Sequence, residues 1–215
     1  MENILTLKKI NKRFGNTTIF DQFNLEINMG ESIAIIGKSG SGKSTLLNII
    51  SLIEPIDSGE IIFENKDISS LSDSKKIDFL RENIGFLYQN YALIENETVK
   101  TNVEIGLKYR KDINNKEARN NEVNRLLALV GMEGFEDRLI YTLSGGEQQR
   151  TALARLIGKP SKIILADEPT GNLDKANSEI IMNLLLKEKE KGKSVIVVTH
   201  NESHLELFDK VITLK

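Results

Sequence analysis

Apolar and polar residues alternate along the first part of the chain, and this period of two predicts β-strands. The alternation covers residues 4–10 and 19–27, and a shorter stretch at 60–63 follows the turn-forming residues Asp57, Ser58 and Gly59. Strands that bury one face and expose the other are typical of antiparallel sheets. We therefore predict an antiparallel β patch in the N-terminal part of the chain.

The middle of the chain changes to the spacing of an α-helix. Apolar residues recur at helical intervals over 103–109 and again over 116–130. We predict a helical insertion over roughly residues 90–158.

Strand and helix patterns alternate in the last third of the chain. Three apolar strands are predicted at 163–166, 195–198 and 211–214, with helices at 177–189 and 202–208 between them. This order produces a parallel sheet closed by crossover helices. The prediction is one α/β domain over residues 1–215 with a mainly parallel sheet core. The mixed charges at 187–193 predict a solvated helix end.

Composition narrows the class of protein. The 215 residues include 29 basic and 31 acidic side chains, so the net charge is −2 and no nucleic-acid-binding surface is indicated. The absence of cysteine excludes disulfides and thiolate metal sites. Apolar runs reach only about five residues, against the roughly 20 that a membrane-spanning helix needs. We expect a cytoplasmic protein without a membrane-spanning helix and without a signal peptide.

A glycine-rich segment, GKSGSGKST at residues 37–45, lies between a short apolar run and a stretch with helical spacing. It fits the pattern G-x-x-x-x-G-K-[ST] through Gly37, Gly42, Lys43 and Ser44, in the context that a phosphate-binding loop (P-loop) requires. Backbone N–H groups of such a loop bind phosphate, Lys43 reaches the β- and γ-phosphates, and the Ser44 hydroxyl binds Mg²⁺. The alternative is a flexible loop that matches the pattern by accident.

A second candidate segment, IILADEPT at residues 163–170, is an apolar run that ends in two adjacent carboxylates. Ligands collect outside the carboxyl ends of buried parallel strands. Asp167 is thus placed to hold Mg²⁺. Glu168, which strand alternation directs to the opposite face, is the candidate general base for the attacking water. Alone, such a pair is more often a solvated turn, but the upstream P-loop favours the functional interpretation.

The segment LSGGEQQR at residues 143–150 predicts the start of a helix. Ser144 and Glu147 have the spacing of a capping box, and apolar residues at helical intervals follow. The two glycines leave N–H groups exposed at the positive end of the helix dipole, which suits a phosphate held by another element. The alternative is an ordinary helix start.

The segments GKSGSGKST, LSGGEQQR, IILADEPTGNLD and VIVVTH occur in the order found in nucleotide-binding subunits of ATP-binding cassette (ABC) transporters. The chain resembles that family over essentially its whole length. The resemblance implies the P-loop NTPase fold of ABC ATPases, with ATP and Mg²⁺ as ligands. In the family two subunits pack head to tail, and the LSGGE segment of one closes over ATP held by the P-loop of the other. A homodimer with two shared ATP sites is therefore implied.

The resemblance also implies roles for single residues. Phe14 falls where an aromatic ring stacks on adenine, and Gln89 falls in the Q-loop, which senses Mg²⁺ and the attacking water. His200 matches the histidine that contacts the γ-phosphate and orders Glu168, although a lone histidine at a strand end is usually a surface residue. Asp174 falls in the D-loop at the dimer interface.

Together these arguments define the candidate site. The candidate catalytic residues are Lys43, Gln89, Glu168 and His200, and the candidate metal ligands are Ser44, Gln89 and Asp167. The candidate nucleotide-binding residues are Phe14, Gly37, Ser39, Gly40, Ser41, Gly42, Lys43, Ser44, Thr45, Ser144, Gly145, Gly146, Glu147 and Asp174.

An apolar and aromatic stretch, Tyr91 to Ile94, directly follows Gln89 in what is expected to be an exposed loop. The family places the membrane subunit against this region. We therefore expect an integral membrane permease to contact Gln89, Tyr91, Leu93 and Ile94. The alternative is that the loop packs onto the helical insertion.

Within the family, ADEPTGNLD and the short chain resemble the subfamily of macrolide exporters, lipoprotein-releasing pumps, cell-division regulators and antimicrobial-peptide exporters. The implied function is ATP hydrolysis that powers export of a peptide, antibiotic or lipoprotein through a separate membrane partner. The alternative is an ATPase of a transmembrane signalling complex of the cell-division type, which transports nothing. Two further classes are disfavoured: a soluble ABC protein, because a second cassette and a coiled-coil insertion are lacking, and a generic P-loop kinase, which needs no LSGGE segment.

Overall fold

The structure is a computed structural model that describes residues 2–171 and 173–215. The described residues form two β-sheets surrounded by helices. The strands are β1 (Asn3–Phe14), β2 (Thr17–Asn28), β3 (Ser32–Gly37), β4 (Ser58–Phe63), β5 (Lys66–Asp67), β6 (Ile84–Leu87), β7 (Ile163–Asp167), β8 (Ser194–Val198) and β9 (Lys210–Leu214). The helices are α1 (Lys43–Ile50), α2 (Asp73–Asn83), α3 (Val99–Leu107), α4 (Lys116–Leu129), α5 (Gly145–Gly158) and α6 (Lys175–Glu190), with 3₁₀ helices at Ile140–Thr142 and Glu202–Leu207.

The N-terminal strands form the antiparallel sheet that their alternating pattern predicts. Its strand order is β2-β1-β4-β5. Leu7 in the central strand pairs with Leu25 of β2 and with Ile61 of β4, and all three side chains are buried. The matched apolar positions place one face of this sheet on the core, so the predicted antiparallel patch is confirmed.

The second sheet is parallel, and its strand order is β6-β7-β8-β3-β9. Its central strands are short continuous apolar runs because both of their faces are covered. In β7, Ile163 and Leu165 join a core that also contains residues of the antiparallel sheet and α1. Ile164 and Ala166 join the other core, which contains residues of α3, α4 and α5. The parallel sheet therefore lies between two cores, and the carboxyl ends of its strands lie along one edge.

Two helical segments differ from the sequence prediction. Helix α2 was not predicted, because Phe79 is its only buried residue and Ile77 is 47% exposed, which leaves no clear apolar face. The segment predicted as a helix at 202–208 forms a 3₁₀ helix over Glu202–Leu207.

The sequence predicted a solvated helix end at 187–193, and this prediction was wrong for Glu188. The Glu188 side chain is only 2% exposed and pairs with the ammonium groups of Lys191 and Lys193, the latter at 2.7 Å. Its backbone carbonyl also accepts the N–H groups of both lysines. A charge pattern does not show which charged residue faces inward, and a buried carboxylate needs partners of this kind.

No helix in the described part of the chain is long and apolar enough to cross a membrane.

Helices α3 and α5 are in close contact at Gly106. A Cβ atom at this position would lie 2.1 Å from the backbone carbonyl oxygen of Arg155. Such a contact is far shorter than a van der Waals distance, and the obstacle is backbone that cannot rotate away. Glycine at 106 is therefore required for this helix packing.

We predict that Gly106→Ala lowers the free energy of unfolding by about 1–3 kcal/mol, because the new methyl group forces α3 away from α5. Urea-induced unfolding measures the loss. Ile105→Ala, at the neighbouring and 41% exposed position, is the control and should cost less. Equal losses for the two variants would contradict this account of the packing.

Candidate functional site

The loop between β3 and α1 has the conformation of a P-loop. Gly37 and Gly42 have φ angles of +153° and +90°, values that residues with a Cβ rarely adopt. A Cβ at Gly42 would also lie 2.5 Å from Cγ2 of Ile19. Gly42 is the N-cap of α1, and with no side chain it leaves the first N–H groups of the helix open to a ligand.

Lys43 is held inside this loop. Its side chain is buried, and Nζ donates to the carbonyl oxygens of Gly37 at 2.8 Å and Lys38 at 2.9 Å. These two carbonyls satisfy the ammonium group without a carboxylate partner, so its positive charge stays available for an anion in the loop.

The two carboxylates at the end of β7 face the same cavity. Asp167 is the last residue of the strand, and Glu168 follows it with a φ of +48°. The Glu168 N–H donates to the Val198 carbonyl at 2.9 Å. The prediction that strand alternation directs Glu168 to the opposite face was wrong, because the strand ends at Asp167 and the left-handed residue turns the second carboxylate back.

His200 lies beside the Glu168 carboxylate. Its backbone N–H donates to Oε2 at 3.2 Å, and its Nε2 atom lies 3.4 Å from Oε1. Oε1 is buried and makes no hydrogen bond to any described residue. The carboxylate is thus oriented from one side and keeps one acceptor oxygen for a small ligand such as water.

A cavity of about 580 Å³ unites most of the predicted residues. It is lined by Phe14, Ile19, Ser39, Gly40, Gly42, Lys43, Ser44, Thr45, Gln89, Asp167, Glu168, Gly171, Val198 and His200. Gly37 and Ser41 belong to the same loop but are not among the lining residues. Sequence reasoning missed Ile19, Gly171 and Val198, whose apolar or small side chains carry no chemical signal of a site.

Phe14 lies at the rim of this cavity and is 47% exposed. The ammonium of Lys12 sits over the ring at 4.7 Å from its centroid. The aromatic face is therefore close to a positive charge and accessible to a flat ligand.

The residues of the LSGGE segment do not line the cavity. Ser144 caps α5 as predicted: its Oγ accepts the N–H of Glu147, whose carboxylate accepts the Ser144 N–H at 2.7 Å. That hydrogen bond lowers the pKa of the Glu147 carboxyl below its usual value. Gly145 and Gly146 form the first turn, and Asp174 caps α6 by accepting the N–H of Asn177. Asn172, also in the GNLD segment, lies outside the described residues.

The stretch after Gln89 is only partly exposed. Tyr91 and Leu93 pack partly against the core of α3, α4 and α5, whereas Ile94 is 49% exposed. The expectation of an exposed apolar loop was therefore wrong for Tyr91 and Leu93, which follow the alternative of packing on the helices, and is confirmed for Ile94.

A P-loop and two carboxylates along one edge of a parallel sheet define a P-loop nucleotide-hydrolysing domain. The family model that matches the chain is described as ABC transporter and covers residues 20–171. The macrolide export ATP-binding/permease protein MacB of Pasteurella multocida is 38% identical over 216 residues, which cover 99% of this chain and 33% of that protein. This chain thus spans about a third of that relative's length.

The uncharacterized ABC transporter ATP-binding protein MJ0796 of Methanocaldococcus jannaschii is 39% identical, over 99% of this chain and 93% of that protein. A solved dimeric structure of MJ0796, in a post-hydrolysis state bound to ADP and Pi, has a TM-score of 0.88 and 37% identity, and covers 98% of this chain and 94% of that chain. The chain belongs to the ABC transporter family and is an ABC-type ATPase cassette that binds nucleotide.

We predict that Gly42→Ala weakens ATP binding by at least about tenfold, because its methyl group would collide with Ile19 and distort the loop. Titration with a fluorescent ATP analogue measures the affinity. Gly192→Ala is a matched control, since Gly192 has a φ of +87° and nothing lies within 4 Å of a Cβ there. Normal affinity in Gly42→Ala would contradict the prediction.

Proposed function

We propose that this chain binds ATP with Mg²⁺ and hydrolyses it as a head-to-tail homodimer that powers a separate integral membrane permease at the cytoplasmic face of the membrane. The observation that carries the proposal is the single cavity in which Lys43, Asp167, Glu168 and His200 converge. Phosphate-binding, acidic and basic groups at one sheet edge are the set that phosphoryl transfer to water requires.

The P-loop holds the triphosphate in this proposal. The backbone of residues 37–42 and the start of α1 supply N–H donors, and Thr45 lines the same wall. Lys43 would exchange its bonds with the carbonyls of Gly37 and Lys38 for the β- and γ-phosphates. The exposed ring of Phe14 supports stacking on adenine.

The cavity offers oxygen donors that suit Mg²⁺. The Ser44 hydroxyl, the Gln89 amide oxygen and the Asp167 carboxylate all line it. Mg²⁺ prefers hard oxygen ligands and usually retains water, so three donors together with phosphate oxygens fit the ion. When bound, the ion would neutralise charge on the phosphates.

Glu168 is the proposed general base. Its Oε1 atom, which makes no hydrogen bond to any described residue, would accept a proton from a water molecule near the γ-phosphate, while the His200 N–H holds Oε2. The His200 side chain, 54% exposed, lies beside the carboxylate and lines the cavity. His200 therefore positions the base and contributes a donor to the γ-phosphate.

The LSGGE segment would serve the second subunit. In one chain Ser144, Gly145, Gly146 and Glu147 lie outside the cavity, and the first turn of α5 offers N–H groups to an anion. Asp174 would lie at the same interface. The dimeric structure of the MJ0796 relative supports a dimeric assembly.

The permease would contact Gln89 and the stretch Tyr91 to Ile94. An apolar groove of about 320 Å³ adjoins this stretch, and exposed apolar side chains line it, among them Ile53, Tyr88, Ile105 and Tyr109. Exposed apolar residues gathered in one groove are typical of a protein interface. The name of the MacB relative, a macrolide export protein, supports an export function. A peptide, an antibiotic or a lipoprotein is the proposed substrate class.

The second candidate is an ATPase of a transmembrane signalling complex of the cell-division type. It would use the same cavity and the same groove, so the nature of the membrane partner distinguishes the two functions. A permease with a substrate path supports transport, and one with large extracellular hydrolase-binding domains supports signalling.

We predict that Glu168→Gln retains ATP affinity but lowers kcat for ATP hydrolysis at least about 100-fold, because the amide cannot accept the proton. The variant should accumulate as an ATP-bound dimer, which size-exclusion chromatography with light scattering detects. Lys43→Ala is the comparison and should lose ATP binding itself. Normal turnover by Glu168→Gln would remove Glu168 as the base.

We predict that Ile94→Glu prevents capture of the membrane partner, because a charge replaces an exposed apolar contact. The assay is affinity capture of tagged Glu168→Gln protein with ATP from detergent-solubilised cells. Val211→Glu is the control and should retain the partner. Val211 is about as exposed as Ile94, and it lies on β9, at the opposite edge of the parallel sheet from β6. If Ile94→Glu recovers as much membrane partner as Val211→Glu does, the permease contacts another part of the surface.

A further inference from the structure

Two consecutive residues after Gln89 have a left-handed backbone conformation. The φ angles of Tyr91 and Ala92 are +63° and +47°. Residues with a Cβ seldom adopt this conformation because it brings the Cβ close to the following carbonyl oxygen, and two in succession are rarer still. The turn persists only if its surroundings hold it.

Arg155 supplies a contact from outside the turn. It lies on α5, and its guanidinium donates to both carbonyls of the strained pair, from Nη2 to Tyr91 and from Nη1 to Ala92, each at 2.6 Å. A planar guanidinium fixes two acceptors at once, whereas the ammonium of lysine has no such fork. The remaining backbone bonds of the turn are local, from the Tyr91 N–H to Tyr88 and from the Ala92 N–H to Asn90.

The helix that carries Arg155 is firmly anchored. The residues on either side of Arg155, Ala154 and Leu156, are buried. A Cβ at Gly106 on α3 would touch the Arg155 backbone. Burial lowers the pKa of the Arg155 guanidinium from its usual value, so the charged group is held where solvent is scarce. The guanidinium therefore occupies a fixed position against which the turn is placed.

Gln89 lies two residues before this turn and lines the nucleotide cavity. We infer that Arg155 is a positioning residue that holds Tyr91 and Ala92 in their left-handed conformations and thereby keeps the Gln89 side chain in the ATP site. The inference rests on the proposed role of Gln89 in hydrolysis.

Lys159, the C-cap residue of α5, provides a matched comparison. It lies one turn beyond Arg155, its pKa is likewise lowered by burial, and its ammonium donates to the carbonyls of Leu80 and Ile84. Lys159 thus joins α5 to the junction of α2 and β6 and makes none of its hydrogen bonds to the turn. A loss of stability alone would affect variants of both residues alike.

The test measures kcat, the KM for ATP and the melting temperature of the dimeric cassette. Arg155→Lys should lower kcat about tenfold and leave KM within about twofold, because Gln89 is misplaced while the P-loop is intact. Lys159→Met should lower the melting temperature with kcat within about twofold of the parent.

Glycine at position 92 adopts the left-handed conformation without strain, so it should replace part of what Arg155 supplies. Adding Ala92→Gly to Arg155→Lys should raise kcat at least about threefold above that of Arg155→Lys alone. A purely structural role of Arg155 would show no such rescue of kcat.

Gln89→Ala separates the two possible failures. If Gln89→Ala is slow but Arg155→Lys has the parental kcat, the role of Gln89 stands and only the positioning role of Arg155 is overturned. A Gln89→Ala variant with parental kcat would overturn the role of Gln89 and the inference with it. If Arg155→Lys has a lowered kcat and adding Ala92→Gly does not raise it, the inference is also overturned.

Discussion

Parallel pairing of β3, β8 and β7 is the constraint on which the rest of the site depends. Thr199, just past β8, donates its N–H to Ile35 of β3 at 3.1 Å, and Glu168, just past β7, donates to Val198 of β8. The hydrogen-bond ladder thus continues beyond the strands, so the groups carried there leave the sheet at one edge with fixed spacing. Both faces of these strands are buried, so a slip in register would disrupt two cores.

In the proposed dimer, this edge of the sheet supplies only part of each ATP site. The P-loop, the carboxylates and the histidine share one cavity, whereas Ser144 and Asp174 cap helices outside it. A capped helix start retains N–H groups that its own chain does not use for phosphate. In the proposed dimer, ATP therefore completes two half-sites and acts as the contact that holds the subunits together.

Local rules explain which features could be predicted from the sequence. The P-loop, the carboxylate pair and the capping box are each recognised from residues a few positions apart in the sequence. The structure has each of them at the helix or strand where it was predicted. The left-handed Glu168, the inward-facing Glu188 and the link from Arg155 to Tyr91 depend on tertiary contacts. No pattern of hydrophobicity or charge encodes such contacts, because they join residues whose distance in space is set by the completed fold.

Helix α5 connects these features physically. Its N-cap Ser144 faces the proposed partner nucleotide, and Arg155, about 16 Å further along the helix, holds the turn after Gln89. Most of the helix is buried, so in the proposed dimer a shift of its N-terminus on closure would move Arg155 as well. The turn cannot follow by smooth rotation, because left-handed and extended backbone conformations are separate energy wells. In the proposed dimer, one helix and two hydrogen bonds would therefore link occupancy of the partner's ATP site to the position of Gln89 in the subunit that carries the helix.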